Sequence, residues 1–201
     1  MMSTNLFPAD FEFERLGELP ASRVKRLFYP GATVAGGRDG LNVHVIPHRS
    51  EEWIGTFAAG SFGPKTVTEV CNTPNKNKLC VVAEGQGYIV DVERPDCCES
   101  VPIFPVLALR SSAKHGLLIF ANHTELLAVG DQGLAWRTAR LSWDSMKLTS
   151  MSEDELCGVF WDIRSESEQS FTVNLQNGTH TGGANVPPTP DSPLSNPRGR
   201  A

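Results

Sequence analysis

The sequence predicts an all-β chain: an antiparallel propeller-like or meander arrangement of about four hairpin repeats with a period near 38. Three observations lead there. An apolar strand followed by a second one recurs four times, the first strands starting at Leu41, Leu79, Leu117 and Leu156. That interval is close to the roughly 40 residues of a four-stranded propeller blade. The 18 glycines and 14 prolines exceed ordinary usage and mark a turn-rich chain. Helix signals are scarce: only Ser152-Glu153-Asp154-Glu155 has a capping form, and it spans about one turn.

Each segment follows from local pattern. Residues 1–30 read as an N-terminal arm, in which Phe11, Phe13, Leu16, Leu19, Val24, Leu27 and Phe28 mix with charges and Pro20 interrupts. A partly extended stretch, or one short helix after Ala21, is expected to pack on the domain. Residues 31–183 form the β-repeat domain. Its four hairpins run from Leu41–Ile46 to Trp53–Phe57, from Leu79–Val82 to Tyr88–Val92, from Leu117–Phe120 to Leu126–Val129, and from Leu156–Trp161 to Phe171–Leu175. Gly85-Gln86-Gly87 and Asn122-His123-Thr124 read as turns inside hairpins, while Asp131-Gln132-Gly133 and Asn177-Gly178 supply left-handed turn positions after them. Pro64 to Val70 reads as one more strand, and Leu134 to Arg140 as another. Residues 184–201 carry five prolines, no aromatic residue and one large aliphatic, Leu194. Such a segment cannot offset its chain entropy by burial and is expected to be a disordered tail.

Composition narrows the function classes. A chain of 201 residues can bury roughly 70% of its unfolded surface, so its core needs no metal or disulfide staple. A net charge of −5 lacks the basic excess that phosphate neutralisation requires, which ranks nucleic acid and anionic membrane low as partners. The best apolar run, Gly116–Phe120, is far short of the roughly 18 residues of a membrane span. Asp10, Glu12 and Glu14 occupy the region where a secretory signal would be basic and then apolar, so a cytoplasmic location is expected. Five cysteines, an odd number, read as free thiols in a reducing compartment.

The stretch from Gly116 through Leu117-Leu-Ile-Phe120, Leu126-Leu-Ala-Val129 and Gly133-Leu-Ala-Trp136 resembles a blade of the quinoprotein-type β-propellers. There a strand, a turn, a strand, a glycine turn and a Trp-bearing strand follow in that order. Asn77 to Val92 is similar to the first half of such a unit. The resemblance implies a propeller-like fold and nothing about a cofactor. Four units are fewer than a closed quinoprotein ring has, so a four-bladed ring, an open meander and a ring completed by a second subunit all remain open.

Motifs of reactive chemistry are weak. Trp143-Asp144 and Trp161-Asp162 are too close together for WD repeats, and packing tryptophans with turn-capping aspartates explain them. His44 and His48 lie about 13 Å apart on an extended strand, too far to share one ion. Cys71, Cys80, Cys97 and Cys98 are the one sensible zinc set, yet the chain contains no C-x-x-C pair, so no metal and no cofactor are expected. Cys71 and Cys80 can approach across a hairpin. Ala59-Gly60-Ser61-Phe62-Gly63 falls one residue short of a nucleophile elbow and lacks its α/β context. The enzyme alternative is therefore a small hydrolase or thiol-dependent enzyme using Ser61 or Cys97/Cys98 with His115 or His123. Trp136, Arg137, Arg140 and Trp143 form the best candidate binding surface, since Trp and Arg anchor interfaces. Inward-facing core tryptophans are the competing reading. The leading expectation is a non-catalytic binding or scaffold domain, with homo-oligomerisation through unclosed sheet edges as a further possibility.

Overall fold

The computed structural model describes residues 7–21, 23–30, 32, 40–60, 63 and 65–184. The chain is all-β, with sixteen strands in four four-stranded sheets and no helix among the described residues. Sheet 1 contains β1 (Phe11–Leu16), β2 (Lys25–Phe28), β3 (Gly40–Pro47) and β4 (Trp53–Ala58), ordered β1-β3-β4-β2. Sheets 2 to 4 are plain antiparallel meanders. They hold β5 (Glu69–Asn72), β6 (Lys78–Ala83), β7 (Gln86–Asp91) and β8 (Cys98–Ser100); β9 (Ala108–Ser112), β10 (Leu117–Ala121), β11 (Leu126–Gly130) and β12 (Gly133–Arg137); and β13 (Met146–Met151), β14 (Glu155–Asp162), β15 (Ser167–Asn174) and β16 (His180–Gly182).

The four expected hairpins are the central pairs β3–β4, β6–β7, β10–β11 and β14–β15. One strand is added on each side of every pair. In sheets 2 to 4 these are the strands next in sequence. In sheet 1 both come from the expected arm: β1 pairs antiparallel with β3, and β2 pairs parallel with β4. No helix follows Ala21, because the Lys25–Phe28 segment completes a sheet instead. The expected tail, apart from Ala184, lies outside the described residues.

Several turns depart from their expected place. The β6–β7 loop is Glu84-Gly85, both with positive φ (45° and 84°), while Gln86 and Gly87 already belong to β7. Positive φ at both loop positions matches the right-handed twist of the flanking strands. The strand expected from Pro64 begins only at Glu69, and the one expected to reach Arg140 stops at Arg137. Ser152 caps a tight β13–β14 turn, its hydroxyl accepting from the Glu155 N–H at 3.0 Å, and starts no helix. In the β10–β11 loop Asn122 Oδ1 accepts the N–H groups of Thr124 (2.8 Å) and Glu125 (2.9 Å), the side-chain turn that Asn favours.

Three apolar cores join the sheets in succession. Val43, Val45, Trp53 and Phe57 of sheet 1 meet Leu79, Val81, Tyr88 and Val90 of sheet 2. Cys80, Val82 and Ile89 on the other face of sheet 2 meet Leu118, Phe120 and Leu127 of sheet 3. Leu117, Ile119, Leu126 and Ala128 on the far face of sheet 3 meet Leu156, Phe160, Phe171 and Val173 of sheet 4. Among the described residues no such core joins sheet 4 back to sheet 1. Two indoles fasten neighbouring sheets at the same separation of 39 residues. Trp53 Nε1 donates to Val92 O at 3.0 Å, and Trp136 Nε1 donates to Leu175 O at 2.8 Å.

Candidate functional site

Sheet 4 is the last of the four in the chain, and its β14–β15 turn is a corner that places two exposed large apolar side chains close together in sequence. In β14 the residues Leu156 and Phe160 face the core, so the alternation of a strand sends Cys157, Val159 and Trp161 to the opposite face. Trp161 is 59% exposed there, and Ile163 at the turn is 64% exposed. Asp162 returns to the core side. Its carboxylate accepts the Trp143 indole N–H at 3.1 Å and the Ser165 hydroxyl at 2.8 Å. Those bonds, led by that of Ser165, hold its carboxyl below the usual carboxylate value. Arg164 lies over the Trp143 ring at 5.0 Å, a cation–π pair at the same corner.

The four binding candidates of the sequence divide. Trp136 is 8% exposed and sits in the core between sheets 3 and 4, with its N–H satisfied by Leu175. Arg137 is tied to Glu125 by two parallel hydrogen bonds of 2.6 and 2.7 Å. Arg140 donates to Ser142 O at 2.9 Å and to the Trp143 carbonyl. Arg140 and Trp143 are thus brought together, and Trp143 in turn joins the turn carrying Trp161 and Ile163. Sequence reasoning passed over Trp161 because it was weighed only as part of a Trp-Asp pair. The alternation in Glu155-Leu-Cys-Gly-Val-Phe-Trp161 was the available signal, since it gives Phe160 and Trp161 opposite faces.

Beside this corner a cleft of about 600 Å³ opens where the first strands of sheets 3 and 4, β9 and β13, come near one another. Lys65, Arg110, Lys147 and Glu168 supply its charges; Met146, Leu148 and Trp161 supply apolar surface. A smaller cavity of about 190 Å³ lies between sheets 2 and 3 against Ile89, Leu127 and Leu134.

The reactive candidates are scattered. Ser61 lies outside the described residues. Cys97 is exposed just before β8, whereas Cys98 packs towards the core of sheets 1 and 2, and burial pushes its thiol up to about 12. His115 and His123 sit at opposite ends of β10. His115 Nε2 is 2.9 Å from Asp154 Oδ1, a link from sheet 3 to sheet 4. No hydrogen bond joins Cys97 or Cys98 to a histidine among the described residues. Cys71 and Cys80 do face each other across β5 and β6, as the hairpin allowed. They lie on the sheet 3 side of sheet 2, whereas Cys98 is on the sheet 1 side. The intervening sheet prevents those cysteines from closing around one zinc ion. Among the described residues no three His, Cys, Asp or Glu side chains cluster as a metal site. Nor does any helix among them have the length and apolarity to cross a membrane.

No family model and no curated protein matches the chain. Among solved structures, the N-terminal domain of Nup159 is similar at a TM-score of 0.40 and 18% identity, covering 87% of this chain and 50% of that one. An S. cerevisiae complex of Dbp5 with Nup159, Gle1, IP6 and ADP is similar at a TM-score of 0.38 and 18% identity, with shares of 87% and 50%. The chain therefore spans about half the length of the solved structures it matches. The resemblance to quinoprotein-type blades holds at the level of successive four-stranded sheets, and no quinoprotein family is shown.

Proposed function

We propose that this chain is a non-catalytic binding domain, acting in the cytoplasm, that takes a partner protein on the free corner of sheet 4. The observation that supports this reading is the pairing of two large apolar side chains left in solvent, Trp161 and Ile163, with the Arg164–Trp143 stack behind them. Aromatic and arginine side chains held by neighbouring contacts are the residues that dominate binding energy at protein interfaces. Arg140 steadies the Trp143 backbone, so the arrangement is held before a partner arrives.

The test compares the full chain with a Trp161→Ser/Ile163→Ser variant, both used as bait in the native host. A protein captured by the first and lost by the second is then purified and its affinity for both measured directly. At least tenfold weaker binding by the variant is expected, since each exposed anchor contributes on the order of 1–2 kcal/mol. Equal binding by the two chains, or turnover of an ester, phosphate or glycoside that one substitution abolishes, would overturn the proposal.

A further inference from the structure

We infer that the cleft between β9 and β13 is a groove for an extended acidic peptide segment with interspersed apolar side chains. This rests on the reading of the adjoining corner as a protein-binding surface, and it names the chemistry of the partner.

Charge is the first observation. Several surface cations form ion pairs: Lys76 with Asp10, Arg94 with Asp91, Lys114 with Asp154, and Arg137 with Glu125. The cleft brings three further cations, Lys65, Arg110 and Lys147, to one place, with Glu168 the only carboxylate in its lining. None of the three cations forms an ion pair with a carboxylate among the described residues. A chain whose net charge is −5 thus carries a locally positive groove, and its electrostatic complement is acidic.

Edge geometry is the second. Sheet 4 runs β13-β14-β15-β16 and sheet 3 runs β12-β11-β10-β9, so β13 and β9 are edge strands. One side of each is paired, and the cleft lies along residues of both. Unpaired N–H and C=O groups of an edge strand accept an added strand from another chain, and backbone hydrogen bonds then supply affinity without demanding a particular sequence. An extended segment turns alternate side chains to opposite faces. Along β13 that alternation meets Met146 and Leu148 on one side and Lys147 on the other, with Trp161 beyond. The apolar lining and the open edge favour a peptide over a phosphate backbone, which would need more cations than the groove holds.

The experiment is fluorescence anisotropy of the full chain with a fluorescein-labelled decapeptide of alternating aspartate and leucine carrying one central phenylalanine. Its comparators are the same peptide with lysine for aspartate and a ten-nucleotide oligothymidylate. Binding of the acidic peptide that weakens as salt rises is expected. Arg110→Glu/Lys147→Glu should weaken it about tenfold, while Arg23→Glu leaves it unchanged. Arg110→Gln/Lys147→Gln should weaken it less, and all variants should keep the parent melting temperature because these side chains are exposed. On the unaltered chain, a benzoylphenylalanine version of the acidic peptide should cross-link within Met146–Leu148. No binding of the acidic peptide, equal or tighter binding of the lysine peptide or oligothymidylate, or an unchanged affinity in the double variants would overturn the inference. If the acidic peptide fails to bind while Trp161→Ser/Ile163→Ser still loses the native partner, the groove assignment falls and the protein-binding reading stands.

Discussion

Single side chains in this protein are governed by which face of which sheet they occupy. The cysteines show it. Cys80 is fully buried, and its hydrogen bond with Cys71, together with burial, holds its thiol well above the ordinary value. Cys98 is pushed to about 12 by burial and, secondarily, by Glu99. The thiolate is the nucleophile, so both are poor ones at neutral pH. In the folded protein at mildly alkaline pH, iodoacetamide should therefore modify exposed Cys97 first, with Cys80 and Cys98 slowest; mass spectrometry of peptides after timed quenching reads the order. Asp154 supplies a second case. Hydrogen bonds from Lys114 (2.7 Å) and with His115 hold its carboxyl below the ordinary aspartate value. A carboxyl depressed in the folded state stabilises above its unfolded pKa, and that contribution is lost as pH falls through the folded one. Asp154→Asn should accordingly flatten the decline of Tm below about pH 4, and an unchanged acid limb would exclude this ion cluster as its source.

Elements are joined by a few contacts that allow little change. The Trp53–Val92 and Trp136–Leu175 hydrogen bonds cross from one sheet to the next. Replacing either tryptophan by phenylalanine leaves a buried carbonyl without its donor and removes ring contacts. A loss of about 1–3 kcal/mol in urea unfolding is expected for each. Gly158 in β14 is a packing constraint of another kind. A Cβ at that position would run into the Phe171 ring and the Lys147 carbonyl. Gly158→Ala should cost roughly 1–3 kcal/mol by overpacking the sheet 4 core, measured in the same unfolding assay. Much of this level was legible in advance. The four hairpins stand where hydrophobic alternation and turn residues placed them, because both signals are local. The pairing of β2 with β4 was not, because a parallel partner in sheet 1 depends on a long connection and leaves no local mark.

At the scale of the molecule, hydrophobic patterning reports position in the array. Sheets 2 and 3 are covered on both faces, and their central strands Leu79-Cys-Val-Val82 and Leu117-Leu-Ile-Phe120 are continuously apolar. Among the described residues the packed cores take one face each of sheets 1 and 4, and Phe11-Glu-Phe-Glu14 and Phe171-Thr-Val-Asn174 alternate. Amide exchange should be slowest in β6, β7, β10 and β11 and fastest in β1, β13 and β16, since local opening tracks buried contacts. Rapid exchange in β10 would contradict the succession of cores. The outer faces place Glu12, Glu14 and His44 on sheet 1 and Glu155, Glu168 and Thr172 on sheet 4. Charged and polar side chains thus surround the few apolar ones, Ile46 on sheet 1 and Cys157, Val159 and Trp161 on sheet 4, so neither face resembles the apolar half of an obligate dimer. Light scattering at micromolar concentration should find a monomer; a concentration-dependent dimer would revive the second-subunit ring.

By itself the amino-acid sequence determined the strand class, the four hairpins and their interval, because alternation and turn chemistry act over a few residues. It also contained the coverage of each sheet, in the contrast between continuous and alternating strands. Only the tertiary structure decided that Trp136 turns inward while Trp161 stays in solvent. It alone set Cys71 and Cys80 on the opposite face of sheet 2 from Cys98, and gathered Lys65, Arg110 and Lys147 at one cleft. Those outcomes depend on which sheet packs against which, and residues brought together over such separations share no local pattern from which their meeting can be read.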